Sequence, residues 1–289
     1  MKLGLLTYAG LPRGDDDDRV LVEAFKQRGV DIDWLIWNRH EPHPSHDVVL
    51  IRSVWDYHKT PRRFLQTLER LHTHTPVLNA PGVVRWNSDK TYLKALQEAG
   101  LPIADTQWID EIPSLNALQD RLASGHDDWF LKPAIGADAV GTFRFKASRE
   151  GIESARQHLQ KHLGHSAMML QPFLPSVQQT GELSVIYFGE QMSHAVIKKP
   201  RAGDYRVQDT FGGVDALYKL NGAEQALAEH CMMVLQQLLG PVTYARLDFL
   251  RDSSGQWLLN EVELIEPSLF FRHHPQAADR LVAAVLEQA

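Results

Sequence analysis

The stretch YARLDFLRDSSGQWLLNEVEL, residues 244–264, reads as two strands, 244–250 and 257–264, folded back on each other through Asp252-Ser253-Ser254-Gly255. Side chains two apart on a strand share a face, so Arg246 and Asp248 point one way, and Glu261 and Glu263 project together from the partner strand. Pairing the strands therefore brings three carboxylates and an arginine onto one face. Unpaired buried charge is costly, so an inner face bearing three acids calls for a positive partner. Mg²⁺ suits such a set, because it takes oxygen ligands from one or two carboxylates and completes its shell with phosphate oxygens and water. The same alternation also describes the solvent face of an edge hairpin.

Upstream, Trp129-Phe130-Leu131-Lys132-Pro133 ends an apolar strand in a lysine, ahead of a loop of small residues from Gly136 to Gly141. A lysine so placed can lie along a polyphosphate while the loop's N–H groups close over it. A snorkelling lysine beside an ordinary hairpin loop fits the pattern as well, and the Gly-Lys-Ser/Thr of a Walker loop is missing. Gln171-Pro172-Phe173-Leu174 is a kinked, extended segment whose free backbone groups suit an adenine edge. Glu182, on the next strand, is placed to accept from ribose hydroxyls. Any linker between two lobes would look similar.

Strands at 2–8, 31–37 and 47–51 alternate with helices at 18–28 and 61–74, which implies a small parallel α/β unit ending near Pro81-Gly82. Ser88 reads as the N-cap of a helix through Ala99, closed by Gly100 and Pro102. Helices at 114–123 and 148–162 alternate with strands at 129–132, 142–146 and 167–171. From Gly181 the chain turns β-rich, with antiparallel strands at 183–188 and 194–199, a helix at 223–239 and the hairpin already quoted. The expected organisation is α/β and α+β: a pre-domain over 1–83, a central lobe over 84–170 and a C-terminal lobe over 171–289.

Asp89-Lys90, Lys132-Pro133, the hinge with Glu182, Arg246/Asp248 and Glu261/Glu263 follow one another in an order that resembles the ATP-grasp superfamily from about Val84 to the end. Glutathione synthetases, ribosomal-protein glutamate ligases and D-alanine–D-alanine ligases are similar at these points. The resemblance implies ATP and Mg²⁺, with Mn²⁺ as a substitute, and formation of an amide-type bond through an acyl phosphate. It places Lys90 and Lys132 on the phosphates, residues 136–141, with Gly136 and Gly141 at the ends, over them, and Gln171, Phe173 and Leu174 on the adenine. Glu182 would hold the ribose, Asp248 and Glu261 the metal, joined by Glu263, and Arg246 the transferring phosphoryl group. The run from Lys198-Lys199-Pro200-Arg201 to Gly212-Gly213 resembles the family's mobile basic loop, in which Lys198 and Arg206 would neutralise the γ-phosphate. Glu263 departs from the family, which often has asparagine there. The family's Ser-Pro-Gly gives way to Glu266-Pro267-Ser268, where Ser268 is a substrate-side candidate. RSVWDYH (52–58), GDYRVQ and EVELIEPSLFF look most like the small group that includes the cycloserine-forming cyclase.

Arg52-Ser53-Val54-Trp55-Asp56-Tyr57-His58 follows a strand at its carboxyl end, where open α/β sheets bind ligands. Arg52 is expected to grip the carboxylate of an amino-acid-like substrate and Asp56 its ammonium. An arginine–aspartate pair holding the loop in place is the alternative. Two rival functions stay open: phosphoryl transfer to a non-carboxylate acceptor, and an ATP-binding regulator without turnover.

The 289 residues carry 30 Lys and Arg against 36 Asp and Glu, a net charge of −6 that argues against a nucleic-acid partner. No apolar run reaches the length of a membrane span, and the N-terminus reads as a strand rather than a signal peptide, so the cytoplasm is expected. A homodimer is left open. Cys231 reads as a small buried residue, residues 15–18 as a solvated acidic loop, and the histidines, His40, His43, His273 and His274 among them, as structural or surface groups.

Overall fold

Three sheets follow in chain order, and the computed structural model describes residues 1–39, 45–123, 125–136, 139–164 and 166–289. The first unit runs β1 (Lys2–Thr7), α1 (Arg19–Gln27), β2 (Asp31–Ile36), β3 (Val48–Ser53), α2 (Pro61–His72) and β4 (Val77–Leu78). Its strands are parallel in the order β2-β1-β3-β4. All six residues of β3 are buried, as a strand covered on both faces requires.

Two short helices, α3 (Pro81–Asn87) and α4 (Tyr92–Glu98), lead into β5 (Gln107–Ile109), α5 (Leu115–Arg121), β6 (Asp128–Pro133), β7 (Phe143–Lys146), α6 (Arg149–His162) and β8 (Met168–Pro172). The sheet β5-β8-β6-β7 is antiparallel. The helix expected from Ser88 to Ala99 is shorter, starting at Tyr92 and ending at Glu98, because residues up to Asn87 already form a separate helix. Ser88 ends α3, donating its hydroxyl to the Arg85 carbonyl at 2.9 Å instead of capping α4.

The last lobe contains α7 (Ser176–Gln179), β9 (Glu182–Phe188), β10 (Gln191–Lys199), β11 (Val214–Tyr218), α8 (Gly222–Leu239), β12 (Tyr244–Arg251), β13 (Trp257–Glu263) and α9 (Ala277–Leu286). Its sheet, β11-β10-β9-β12-β13, is antiparallel, and α8 packs on it through Ala228, Cys231 and Leu235. Cys231 is fully buried, and burial pushes its thiol up to about 12, which makes it inert. A bulge in the β12–β13 pairing, between Asp248 and Phe249, sets Asn260 as the extra residue on β13.

Side chains of the linker helices close the free edge of β13. Asn87 exchanges hydrogen bonds with the Val262 carbonyl and the Leu264 N–H, both at 2.8 Å. The Tyr92 hydroxyl meets the Val262 N–H at 2.9 Å and its carbonyl at 3.0 Å. Bonds of this kind satisfy an edge that would otherwise recruit another strand. They also fix the hairpin against the segment that carries Lys90.

The first unit and the last lobe share one apolar cluster. Leu3, Leu5 and Phe25 of the former meet Ile186, Phe188 and Tyr244 of the latter, with Leu281 and Val285 of α9 closing it. Among the described residues no helix is long and apolar enough to cross a membrane.

The acidic run at 15–18 is solvated only in part: Asp16 is exposed, but the run ends in a buried acid. Asp18 is 1% exposed and takes Arg52 in a two-point bond, Nε to Oδ1 at 3.1 Å and Nη2 to Oδ1 at 2.8 Å, with Nε also 3.3 Å from Oδ2. Arg52, itself 4% exposed, donates further to the Pro267 carbonyl at 3.3 Å. Asp56 turns to the Trp37 and Asn38 side chains, at 2.8 and 2.6 Å. The expected Arg52–Asp56 substrate clamp is therefore not assembled, and Arg52 instead ties β3 to the turn before α1 and to the C-terminal segment. Removing one partner of a buried pair strands the other charge. Arg52→Ala should lower the unfolding free energy in urea by about 3–5 kcal/mol, and the double change Arg52→Met/Asp18→Leu should recover most of that. A loss below about 1 kcal/mol for the single variant would return Arg52 to the surface-pair class.

Candidate active site

The main cleft opens where the three sheets meet, and Lys90, Lys132, Gly136, Gln171, Phe173, Leu174, Glu182, Lys198, Arg206, Arg246, Asp248, Glu261, Glu263 and Ser268 all line it. Strand pleat puts most of them there. On β12, Arg246 and Asp248 share the inner face, opposite Glu263 and Glu261 of β13 in register. On β9 and β10, Glu182 pairs across from Lys198. Gly181 makes that approach feasible. Its φ is +96°, and a β-carbon there would lie 2.4 Å from the Lys198 carbonyl oxygen.

The charges interlock. Arg246 holds Asp248 through Nε at 3.0 Å and Nη2 at 2.9 Å, reaches Glu263 with the same Nη2, and donates Nη1 to the Ser268 carbonyl at 3.2 Å. Lys198 stands 2.7 Å from Glu182 and 3.2 Å from Asp248, and the Ser184 hydroxyl also donates to Asp248. Lys90 bonds Glu261 at 2.9 Å and the Gly136 carbonyl at 2.8 Å, the latter fixing one end of the covering loop. Lys132 donates to the Asn260 side-chain oxygen Oδ1 at 3.2 Å, and Nδ2 of the same amide donates to Glu182 at 2.7 Å.

Burial alone would raise the Asp248 carboxyl, but Arg246 and Lys198 outweigh it and hold the group well below the usual carboxylate range. Burial would lower Lys198, and Asp248 with Glu182 reverse that. Lys132 has no direct carboxylate contact among these bonds, and burial brings it down to about 8. Glu263 is pushed up to about 7 by burial, with Arg246 opposing and Asp248 adding to the rise. The three acids named for a metal are together in the cleft, but each is engaged by a lysine or arginine. Among the described residues, no group of three or more His, Cys, Asp or Glu is arranged as a ready metal site. Their oxygens remain the right donors for a hard cation, and Glu261 and Glu263 keep 27% and 28% of their side chains exposed.

At the hinge, Phe173 packs with Phe130 and Tyr205, and Gln171 donates to the Thr106 hydroxyl at 2.7 Å. Arg206 is bound to Asp204 by two N–H groups and lies over the Phe211 ring at 3.8 Å. Gly141 has φ +76°, and its carbonyl meets His158 Nε2 at 2.7 Å. Residues 137 and 138 of the covering loop, and His40 and His43, lie outside the described residues.

Several residues of the site went unread in the sequence: Asn260, Trp55, Glu266 and Arg272 line the cleft, and the buried Ser184 bonds Asp248. Strict two-residue alternation turns Asn260 away from Glu261, and only the bulge brings both to the cleft. The alternation of Glu182 with Ser184 is the one signal that could have found Ser184.

A family model described as the ATP-grasp domain of prokaryotic glutathione synthetase matches residues 112–267, more than half of the chain. One described as the N-terminal domain of D-cycloserine synthetase DcsG matches residues 3–79. The cycloserine biosynthesis protein DcsG of Streptomyces lavendulae is 28% identical over 305 residues, spanning 99% of this chain and 98% of its own length. The crystal structure of D-cycloserine synthetase DcsG superimposes with a TM-score of 0.89 at 27% identity, over 100% of this chain and 99% of that one. A glutathione synthetase of Ralstonia nicotianae is 25% identical over 227 residues, covering 78% of this chain and 62% of its own length. On its cleft, its fold and these matches, the chain belongs to the ATP-grasp ligases, enzymes that form a C–N bond from a carboxylate and an amine.

Proposed function

We propose that the protein binds ATP and Mg²⁺ in this cleft, phosphorylates the carboxylate of an amino-acid-like substrate, and lets a nitrogen nucleophile of that same molecule displace the phosphate. The observation that carries the reading is the single cleft in which Lys90, Lys132, Lys198 and Arg246 face Glu182, Asp248, Glu261 and Glu263. A carboxylate resists attack by an amine because oxide is a hopeless leaving group. Phosphorylation turns that oxygen into phosphate, and the step asks the protein for position and charge neutralisation rather than for a side-chain nucleophile.

The ion pairs of the resting cleft serve as placeholders in this account. Phosphate oxygens take Lys90, Lys132 and Lys198, the ends of the covering loop lie over them, and the hinge at Gln171, Phe173 and Leu174 takes the base. Glu182 is the group placed for the ribose, although its two oxygens rest on Lys198 and Asn260. Asp248, Glu261 and Glu263 would hold Mg²⁺, which supplies further neutralisation of the phosphates when bound. Arg246 is placed for the acyl phosphate, with Arg206 released from Asp204 to join it.

On the substrate side Ser268 remains, while Asp15 and Glu266 line both the cleft and a small side cavity in front of the Arg52–Asp18 pair. These acids suit an ammonium group and replace Asp56 in that role. The full-length likeness to a D-cycloserine synthetase favours ring closure. The cycloserine ring is closed by an acyl–nitrogen bond, so its linear precursor carries the acid and the nucleophilic nitrogen together. O-amino-D-serine and its ureido derivative head the list of candidates.

Mg-ATP should raise the melting temperature while adenosine does far less, since ligand binding to the native state shifts unfolding by mass action. No shift with millimolar Mg-ATP would end the nucleotide reading. Glu261→Gln should keep the melting profile and lose turnover by about two orders of magnitude or more. Full activity in that variant would place the metal elsewhere. Phosphate release screened against D- and L-amino acids, short peptides and the two serine derivatives, with products weighed by mass spectrometry, should show a product lighter than its acid substrate by one water when ring closure occurs, and by a further HNCO for the ureido derivative once its carbamoyl group is shed. A product that instead joins two substrates would make the ligation intermolecular.

A further inference from the structure

We propose that Arg272 is a positioning residue that fastens the basic loop between β10 and β11 to the first unit, so that the cleft closes only when its substrate side is in register. The inference rests on the reading of the cleft as a nucleotide and amino-acid site. Residues 205–210 of the loop line the cleft, and so does Arg272. The guanidinium of Arg272 donates Nη2 to Asp209 of the loop at 3.1 Å and Nε to Asp215 at the start of β11 at 3.2 Å, with Nη2 reaching Asp215 as well. Its Nη1 lies 3.8 Å from Asp17 of the first unit and 3.4 Å from the Ser268 hydroxyl.

Asp17 grips the same segment from the other side. Its two oxygens accept the backbone N–H groups of Phe271 at 2.9 Å and Arg272 at 2.7 Å. Asp215 is also held by His273. The strip thus joins three parts of the chain that lie far apart in sequence. It touches the chemistry as well: Phe270, with φ +53° in the left-handed region, sets its ring between the Arg272 guanidinium at 4.8 Å and that of Arg246 at 5.6 Å. A non-glycine residue held there is strained, and the surrounding bonds must over-determine it.

The contacts differ in strength in a way that suits a gate. Asp17 and Asp215 are 8% and 7% exposed, whereas Asp209 is 67% exposed. The buried bonds keep Arg272 in place, and the exposed bond to Asp209 is the one weak enough to break and re-form in each turnover. The loop's other anchors lie away from the first unit: the Tyr205 hydroxyl meets Thr142 of the central lobe at 3.3 Å, and Gln178 of α7 donates to the Asp204 carbonyl at 3.0 Å. Arg272 supplies the tie to the substrate side.

Asp209→Asn and Arg272→Gln test this in the full chain. Without ligand, trypsin cleavage after the exposed Arg201 should accelerate by about threefold or more in Asp209→Asn, with an unchanged melting temperature, because local opening no longer costs that bond. With Mg-ATP and O-amino-D-serine or its ureido derivative, kcat should fall by about five- to tenfold while KM for ATP stays within about twofold, and Asp209→Glu should restore most of it. Wild-type cleavage and wild-type kcat in Asp209→Asn would overturn the proposal, even if Arg272→Gln fails to fold. The ligand-free cleavage comparison stands apart from the nucleotide reading, which fails instead when Mg-ATP leaves wild-type cleavage and melting unmoved.

Discussion

Arg246 and Asp248 stand two residues apart on one buried strand, and the bond between them organises the site. Removing both charges from water costs several kcal/mol per ion, and their attraction offsets this only when the remaining donors and acceptors are satisfied. The protein meets that condition with Lys198 and Ser184 on Asp248, and with Glu263 and the Ser268 carbonyl on Arg246. The network extends through Glu182 and Asn260 to Lys132. Such a cluster stabilises the fold poorly compared with apolar packing. A chain that keeps it is maintaining an arrangement of charge, and phosphoryl transfer is a use for one.

The apolar framework supplies the stability that the site does not. Residues between the charged ones, Leu247, Val262 and Leu264, face α8 and α4 in one large cluster. Asn87 and Tyr92 anchor the hairpin by its outer edge, so the Lys90 segment and the acidic face move as one body. The buried Arg52–Asp18 pair and the shared cluster under α9 lock the first unit to the last lobe.

The sequence was legible where geometry is local. Alternation with period two placed Arg246, Asp248, Glu261 and Glu263 on one face, and Asp252-Ser253-Ser254-Gly255 marked the turn between them. The parallel unit and the antiparallel pairing of the last lobe followed from strand and helix patterns. What stayed hidden depends on distant partners. Arg52 meets an aspartate 34 residues before it, so its charge alone suggested a substrate clamp. Asn260 enters through a bulge that alternation does not foresee. Asp17 and Arg272 are 255 residues apart, and no spacing rule joins them. The strands β4 and β5, of two and three residues, are too short for periodicity to register, and β11 is an edge strand with Val214 and Leu217 exposed, so no buried face marks it.

In the proposed function a carboxylate is activated by phosphorylation before nitrogen attacks it. The most direct measurement follows the oxygen. With the substrate's carboxylate labelled by a heavy oxygen isotope and the reaction run in ordinary water, mass analysis of the released phosphate reads its origin. Acyl-phosphate chemistry transfers a labelled oxygen to phosphate in each turnover. Unlabelled phosphate, formed alongside product at the same rate, would contradict the account.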